Sequence, residues 1–209
     1  MAEILNPALK EFVAHIENEL VLAQVLIQRS GAGYELRQVE DRAAGAESLR
    51  LIKPDAMRAV AQVTATGEFR PLKSAPTLQR GWRLRAQSDA ELETALSQLY
   101  PGAVADWHAT RATNPPVTNY REYTNRQSGM YRITTMLNDA QVAQVIGAVC
   151  EPKSCLKRRW WTVTGLRPDS AADKSLIPCL EPCAVLMEAA RKAMRAEQQE
   201  KLAADAPAG

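Results

Sequence analysis

The sequence has 209 residues and carries 26 Lys and Arg against 24 Asp and Glu, a formal charge of +2. This length can bury one sizeable core or two small ones, and so balanced a charge does not indicate binding to nucleic acid or to a membrane surface. The first seven residues lack the basic start and apolar run of a secretion signal, and no apolar stretch approaches the roughly 20 residues of a membrane span. We therefore predict a soluble, cytoplasmic protein that does not bind membranes.

The first half of the chain carries the patterns of a small α+β domain. Asn6 as N-cap and Pro7 in the first turn predict an amphipathic helix that continues to Ile16. Residues 22–29 and 34–40 are apolar runs on either side of a Gly-rich turn, which is typical of a β-hairpin. The remaining predicted elements are, in chain order, a short helix within 55–64, an extended segment over 68–76, a strand over 81–86 and a helix capped by Ser88 and Glu91 that ends at Pro101.

A pair of prolines predicts the boundary between two domains. The run Asn-Pro-Pro at 114–116 stiffens the chain and forbids regular strand pairing. We therefore predict domains over 1–113 and 114–201, followed by a flexible tail over 202–209.

The second domain is also predicted to mix helices and strands. Its predicted elements are a hairpin made of 117–123 and 130–137, a helix with a capping box at Asn138 and Gln141 that ends at Cys150, a strand over 160–164 and a final helix that begins at Pro182. The predicted fold class is therefore α+β, with two small domains that each pack helices on a short antiparallel sheet.

The four cysteines of the sequence are clustered. They are Cys150, Cys155, Cys179 and Cys183, in the pattern C-x4-C-x23-C-x3-C, and none occurs earlier in the chain. In a reducing cytoplasm such a set indicates metal or redox chemistry rather than structural disulfides. The last two cysteines are four residues apart at a predicted helix start, so we expect both to face the same side. The clustering predicts one shared site.

Four thiolates suit either a structural zinc ion or a 4Fe-4S cluster. Zinc favours pairs separated by two residues, whereas the spacers of four and three residues here favour the larger cluster. A redox disulfide, and a chance grouping of four buried apolar cysteines, remain open at this point.

The residues around the cysteines suit a negatively charged group. The cations that would offset its charge are Lys153, Lys157, Arg158 and Arg159. The tryptophans at 160 and 161 would shield it from water. This mixture of bases and aromatics could also bind a nucleic-acid strand, but a solvated basic turn beside core tryptophans is the preferred interpretation, so nucleic acid is not the expected partner.

The sequence offers no catalytic motif. His15 and His108 are predicted to be packing or surface residues, and there is no GxGxxG, P-loop, HExxH or GxSxG pattern. We therefore predict no catalytic activity of the chain's own.

Two further runs, taken with the cysteines, resemble a known family. The run FRPLKSAP at 69–76 with RGW at 80–82, and the run RQSGMYR at 126–132, are similar to the C-terminal accessory region of multidomain CbiX-type sirohydrochlorin cobaltochelatases. In that family a chelatase domain precedes a small stabilising domain and a 4Fe-4S cluster-binding domain.

The resemblance implies a cluster bound by Cys150, Cys155, Cys179 and Cys183. It also implies electron transfer or redox sensing beside a chelatase or another redox protein. A chelatase domain is not expected in this chain, so metal insertion is not part of the expectation. The alternative is an interaction module in which a cluster or a zinc ion only holds helix ends together.

Overall fold

Two hydrophobic cores, one in each half of the chain, organise this α+β protein. The computed structural model describes residues 6–62, 77–112, 117–150, 155–169 and 176–204. Its α-helices are α1 (Pro7–His15), α2 (Asp89–Leu99), α3 (Ala103–Ala112), α4 (Tyr120–Asn125), α5 (Asp139–Val149) and α6 (Ala184–Ala204). Its strands are β1 (Glu19–Leu22), β2 (Val25–Ser30), β3 (Gly33–Gln38), β4 (Arg50–Ile52), β5 (Ala61–Gln62), β6 (Thr77–Leu78), β7 (Trp82–Ala86), β8 (Arg158–Arg159) and β9 (Pro178–Cys179).

Short 3-10 helices connect several of these elements. Their bounds are Val39–Asp41, Ala46–Ser48, Pro54–Val60 and Gly129–Met136. Within the described ranges, no helix is long and apolar enough to cross a membrane.

The N-terminal half contains a five-stranded sheet in the order β1-β2-β3-β7-β4. The predicted hairpin is confirmed, since Ser30 pairs with Gly33 across a turn in which Gly31 has a φ of +60°. Strands β1, β2, β3 and β7 are antiparallel neighbours, but β4 joins β7 in parallel. The predicted α+β class is therefore confirmed, and most of the sheet is antiparallel as predicted, but the parallel pairing of β4 with β7 makes the sheet mixed.

Helices α1, α2 and α3 pack with the sheet around the N-terminal core. Phe12 of α1, Leu84 of β7 and Leu96 of α2 are at most 1% exposed, and burial of each such side chain contributes roughly 1.5–3 kcal/mol. Trp107 of α3 meets Phe12 edge-on, with ring centroids 5.3 Å apart. The predicted first helix, the strand over 81–86 and the helix after Ser88 are confirmed.

Two other predictions in this half have different outcomes. The short helix predicted within 55–64 is present as the 3-10 helix Pro54–Val60. The extended segment predicted over 68–76 lies outside the described residues. Helix α3 was missed by the sequence, because Pro101 and Gly102 were interpreted only as the end of α2.

The second predicted hairpin is wrong. Residues predicted as its strands form α4 and the 3-10 helix Gly129–Met136 instead. The Asn119 side chain accepts a hydrogen bond from the Arg121 N–H at 2.8 Å and so caps α4. Thr134 and Thr135 donate hydrogen bonds to carbonyls three residues earlier, which favours the tight helix over a strand.

The strand predicted over 160–164 was also wrong. The paired strand here is β8, which lies parallel to β9, and only isolated bridges follow it at Thr162 and Val163. The chain turns directly afterwards, since Leu166 N–H donates to the Val163 carbonyl at 3.0 Å and Gly165 has a φ of +78°. The ladder is therefore parallel, not antiparallel as predicted for this half.

The C-terminal core is formed by residues of α4, α5 and α6 together with Trp161 and Val163. Helix α6 begins at Ala184, two residues later than predicted, and continues to Ala204. The predicted tail from 202 thus starts inside this helix, while residues 205–209 lie outside the described part.

The segment that leads into β9 connects the two halves. Ile177 directly precedes β9, yet its side chain is 2% exposed and belongs to the N-terminal core. Strand β9 also contacts α3. The Asn-Pro-Pro run at 114–116 is outside the described residues, so the division of the chain near it stays a prediction.

Candidate metal centre

All four cysteines of the sequence line one cavity of about 820 Å³. Cys150, Cys155, Cys179 and Cys183 are each half-buried and none forms a disulfide. The structure therefore places all four residues that the sequence singled out in the lining of one cavity.

Helix α5 positions Cys150. The predicted capping box is present, since Asn138 Oδ1 accepts from Gln141 N–H at 2.9 Å and Gln141 Oε1 accepts from Asn138 N–H at 2.8 Å. Val142 and Ile146 turn into the C-terminal core. The Cys150 N–H donates to the Ile146 carbonyl at 2.7 Å, which fixes Cys150 as the C-cap at the cavity.

Strand β9 positions Cys179. The Trp160 N–H donates to the Cys179 carbonyl at 2.9 Å as part of the parallel ladder. The Cys179 thiol in turn donates to the Glu181 carbonyl at 3.3 Å. Backbone hydrogen bonding, rather than a helix, thus holds this cysteine.

Cys183 lies immediately before α6. Its carbonyl accepts the Met187 N–H at 3.0 Å, the first hydrogen bond of that helix. Cys179 and Cys183 therefore both precede the first residue of α6, and both line the cavity, in agreement with the expectation that they face the same side. The first residues of α6 line the same cavity, so the positive end of the helix dipole favours negative charge there.

Burial removes water from around the Cys179 thiol and thereby changes its pKa. Burial raises its pKa to about 11, and the neighbouring Cys183 and Cys155 raise it further. The Trp161 indole N–H and the Lys157 ammonium act in the opposite direction. A metal-free Cys179 therefore keeps its proton at neutral pH, and binding of a metal group would displace that proton.

The predicted cations have different positions. Lys157 lines the cavity, whereas Arg158 stacks on Trp160, with its guanidinium 4.4 Å from the ring centroid. Arg159 also lines the cavity, but it is 3% exposed and donates to the Trp161 carbonyl at 2.7 Å and to the Arg167 carbonyl. Lys153 lies outside the described residues.

Of the two tryptophans predicted to shield the site from water, one lines the cavity. Trp161 lines the cavity and is 0% exposed, while Trp160 is not among the described residues that line it. Arg159 and Trp161 are both interior, so they have no surface to offer a nucleic-acid strand.

The sequence missed two residues that line the cavity. Asp106 reaches it from α3, and burial raises the pKa of its carboxyl while Lys157 lowers it. Tyr123 reaches it from α4, and burial likewise raises the pKa of its phenol. Both helices were absent from the sequence prediction, so nothing in the spacing could have indicated these side chains.

The two histidines lie elsewhere in the molecule. His108 Nε2 is 3.0 Å from a carboxylate oxygen of Glu11, and the His15 ring lies 5.5 Å from that of Trp107. These contacts agree with the predicted packing and surface roles.

Comparison with known protein families identifies the chain. The sequence model of the DR2241 stabilising domain matches residues 6–111, about half of the chain. The chain belongs to this family. The model of a 4Fe-4S iron-sulfur cluster binding domain matches residues 112–192, which include all four cysteines. The resemblance inferred from the sequence is confirmed.

A solved structure agrees with the family. DR2241 from Deinococcus radiodurans is similar over 90% of this chain, with 27% sequence identity and a TM-score of 0.71. It is described as a multi-domain protein with structural similarity to chelatases and two additional novel domains, and the similar part is 40% of its length. No curated protein sequence shows significant similarity to the chain.

The family match bears on the choice between the candidate metal groups. The matching domain is one that binds a 4Fe-4S cluster, so it supports the cluster and gives no support to the zinc alternative. In the part of the chain that the structure describes, no three Cys, His, Asp or Glu side chains are already arranged around a metal-ion position.

Proposed function

We propose that the chain binds one 4Fe-4S cluster through Cys150, Cys155, Cys179 and Cys183 and exchanges single electrons with a partner protein. The observation that carries this proposal is that all four cysteines line one cavity, within the segment that matches a 4Fe-4S domain. Four cysteine thiolates are the usual donor set of such a cluster.

The walls of the cavity suit this group. Lys157 and the N-terminal end of α6 offset negative charge, which four thiolates around an oxidised cluster leave in excess. Val149, Trp161 and Leu186 supply apolar surface that excludes water. When bound, the cluster supplies reversible one-electron chemistry, while these residues hold it, orient it and limit its exposure.

The proposed partner is a chelatase-type protein in the cytoplasm. The similar part of DR2241 belongs to a protein described as chelatase-like, which supports an accessory role beside such an activity. Free thiols and a cluster also suit a reducing compartment. On this proposal residues 1–113 form the stabilising domain and 114–201 the cluster-binding domain.

Anaerobic purification of the full chain tests cluster binding directly. We expect a brown protein with about four irons and four sulfides per chain. A colourless protein that carries one zinc, even after anaerobic reconstitution, would contradict the proposal. If the cluster forms but cannot be reduced and reoxidised at any accessible potential, the electron-transfer part is wrong.

A structural role is the second candidate. Cys150, Cys179 and Cys183 pack against the C-terminal core at the ends of different elements, so a cluster here would hold α5, β9 and α6 together. In that case Cys179→Ser would lower the stability of the C-terminal half. The cluster would show no reduction or reoxidation, and the activity of a partner protein would not depend on it.

A further inference from the structure

The indole of Trp161 occupies a fixed position in the cavity wall. The side chain is 0% exposed and lines the cavity with the four cysteines. Its ring centroid is 6.3 Å from that of Tyr120, and the Arg159 guanidinium lies 5.3 Å from its centroid. These contacts restrict how the ring can rotate.

The indole N–H lacks a hydrogen bond of ordinary length. Among the described residues, Trp161 Nε1 is buried and has no acceptor. A buried donor left without an acceptor costs about 1–3 kcal/mol, and such groups are rare in native proteins. The N–H nevertheless lies close enough to the Cys179 thiol to lower its pKa. The donor without an acceptor thus belongs to a side chain that lines the same cavity as all four cysteines.

We propose that Trp161 donates this hydrogen bond to the Cys179 thiolate in the cluster-bound protein and thereby raises the reduction potential of the cluster. This inference rests on the function proposed above. Reduction adds negative charge to the cluster and its sulfurs, so a donor to a ligand sulfur stabilises the reduced form more than the oxidised form. Trp161 is therefore a residue that tunes the potential, not a ligand.

The test compares the potentials of two matched variants. Trp161→Phe removes the N–H and keeps an aromatic ring, while Trp160→Phe makes the same change beside it, where the ring stacks on Arg158. Both variants are compared as the cluster-loaded full chain at a fixed potential. We expect Trp161→Phe to lower the ratio of reduced to oxidised cluster about tenfold, which corresponds to a reduction potential lower by about 59 mV for a one-electron couple. Trp160→Phe should match the unsubstituted protein.

A second measurement works even if Trp161→Phe assembles no cluster. Protein labelled with nitrogen-15 in its indoles is reduced and studied by pulsed EPR. We expect a coupling between the cluster and an indole nitrogen in the unsubstituted protein and in Trp160→Phe.

The outcomes separate this inference from the proposed function. Absence of the coupling in cluster-loaded protein, or an unchanged potential in Trp161→Phe, would overturn the inference and leave the cluster in place. Failure of the unsubstituted chain to assemble a cluster would overturn the proposed function, and this inference with it.

Discussion

Cys179 is the thiol whose surroundings the structure defines best. Its backbone pairs in β9, its sulfur donates to the Glu181 carbonyl, and burial holds its pKa near 11. Such a thiol is a poor nucleophile at neutral pH, because its thiolate fraction is very small. It gains a stable thiolate only when a metal group replaces the proton.

We expect Cys179→Ser to reduce the iron and sulfide content of anaerobically purified protein severalfold, because a serine oxygen is a poorer ligand for the cluster. Val185→Ser is the matched control, since it places a serine at the same cavity without removing a thiol. Iron and sulfide analysis measures both variants. Retention of about four irons by Cys179→Ser would exclude Cys179 as a ligand.

Tyr34 provides a prediction about stability and pH. Its hydroxyl donates to Asp89 Oδ1 at 2.6 Å, and burial followed by the Asp89 carboxylate raises its pKa to about 12. Tyr34→Phe should lower the free energy of unfolding by about 1 kcal/mol, as measured by denaturant titration. Tyr131→Phe, at a half-buried tyrosine of the other half, is the control.

The pH dependence of the same pair follows from the direction of the pKa shift. The pKa of Tyr34 is higher in the folded state than its ordinary value of 10.0, so the protonated phenol is favoured by folding. The protonated phenol therefore stabilises the folded state fully below pH 10, and this stabilisation is lost as the pH rises through about 12. The difference in stability between the unsubstituted protein and Tyr34→Phe should therefore shrink over that range.

Helix α5 begins at a capping box and ends at a cysteine of the candidate site. Its capping box at Asn138 was predicted from the sequence and is present in the structure, and Gln141 Nε2 also donates to Glu197 of α6 at 2.6 Å. The helix then ends at Cys150. The cap therefore sets where the first cysteine lies.

Asn138→Ala should cost about 1 kcal/mol of stability, because it removes the acceptor for the Gln141 N–H. Thermal unfolding of the cluster-loaded protein measures the loss. Gln144→Ala, at an exposed position in the middle of α5, should change the midpoint little. Equal midpoints for Asn138→Ala and the unsubstituted protein would contradict a role for the cap.

The elements that could be predicted are those with strong local signals. The hairpin turn at Gly31, the cap at Ser88 and the cap at Asn138 depend on neighbouring residues, and each is present. The strand prediction for residues 130–137 was wrong because their Tyr, Ile and Thr are typical of strands. Hydrogen bonds from Thr134 and Thr135 to the preceding turn stabilise a 3-10 helix there instead.

The candidate site was predictable in composition but not in geometry. Clustering of the cysteines indicated a shared site, and the four thiols do line one cavity. The sequence placed Cys179 at a helix start, whereas it lies in a parallel ladder with β8, a pairing between distant segments that spacing cannot indicate. Asp106 reaches the cavity from the other half of the chain, and local patterns carry no such information.

The whole molecule is connected through the segment that carries Cys179. Ile177 lies in the N-terminal core, two residues before a cysteine that packs against the C-terminal core. The segment that carries Cys179 is therefore anchored in the N-terminal core through Ile177.

Ile177→Ala should destabilise the N-terminal core by about 2–5 kcal/mol, because it leaves a cavity at a fully enclosed position. Hydrogen exchange measured by mass spectrometry should show faster exchange in peptides from α1 and α3. Met194→Ala, a comparable truncation in the C-terminal core, should leave those peptides unchanged. Unchanged exchange in Ile177→Ala would mean that the N-terminal core does not depend on this segment.

The backbone hydrogen bonds of three of the four cysteines bear on the speed of the proposed electron transfer. The Cys150 N–H, the Cys179 carbonyl and the Cys183 carbonyl are each engaged in a helix end or a ladder. Ligands anchored through the main chain move little when the charge of the group they hold changes. A cluster bound here would have a small reorganisation energy, so its rate of electron exchange would depend mainly on the distance and orientation of the partner's redox centre.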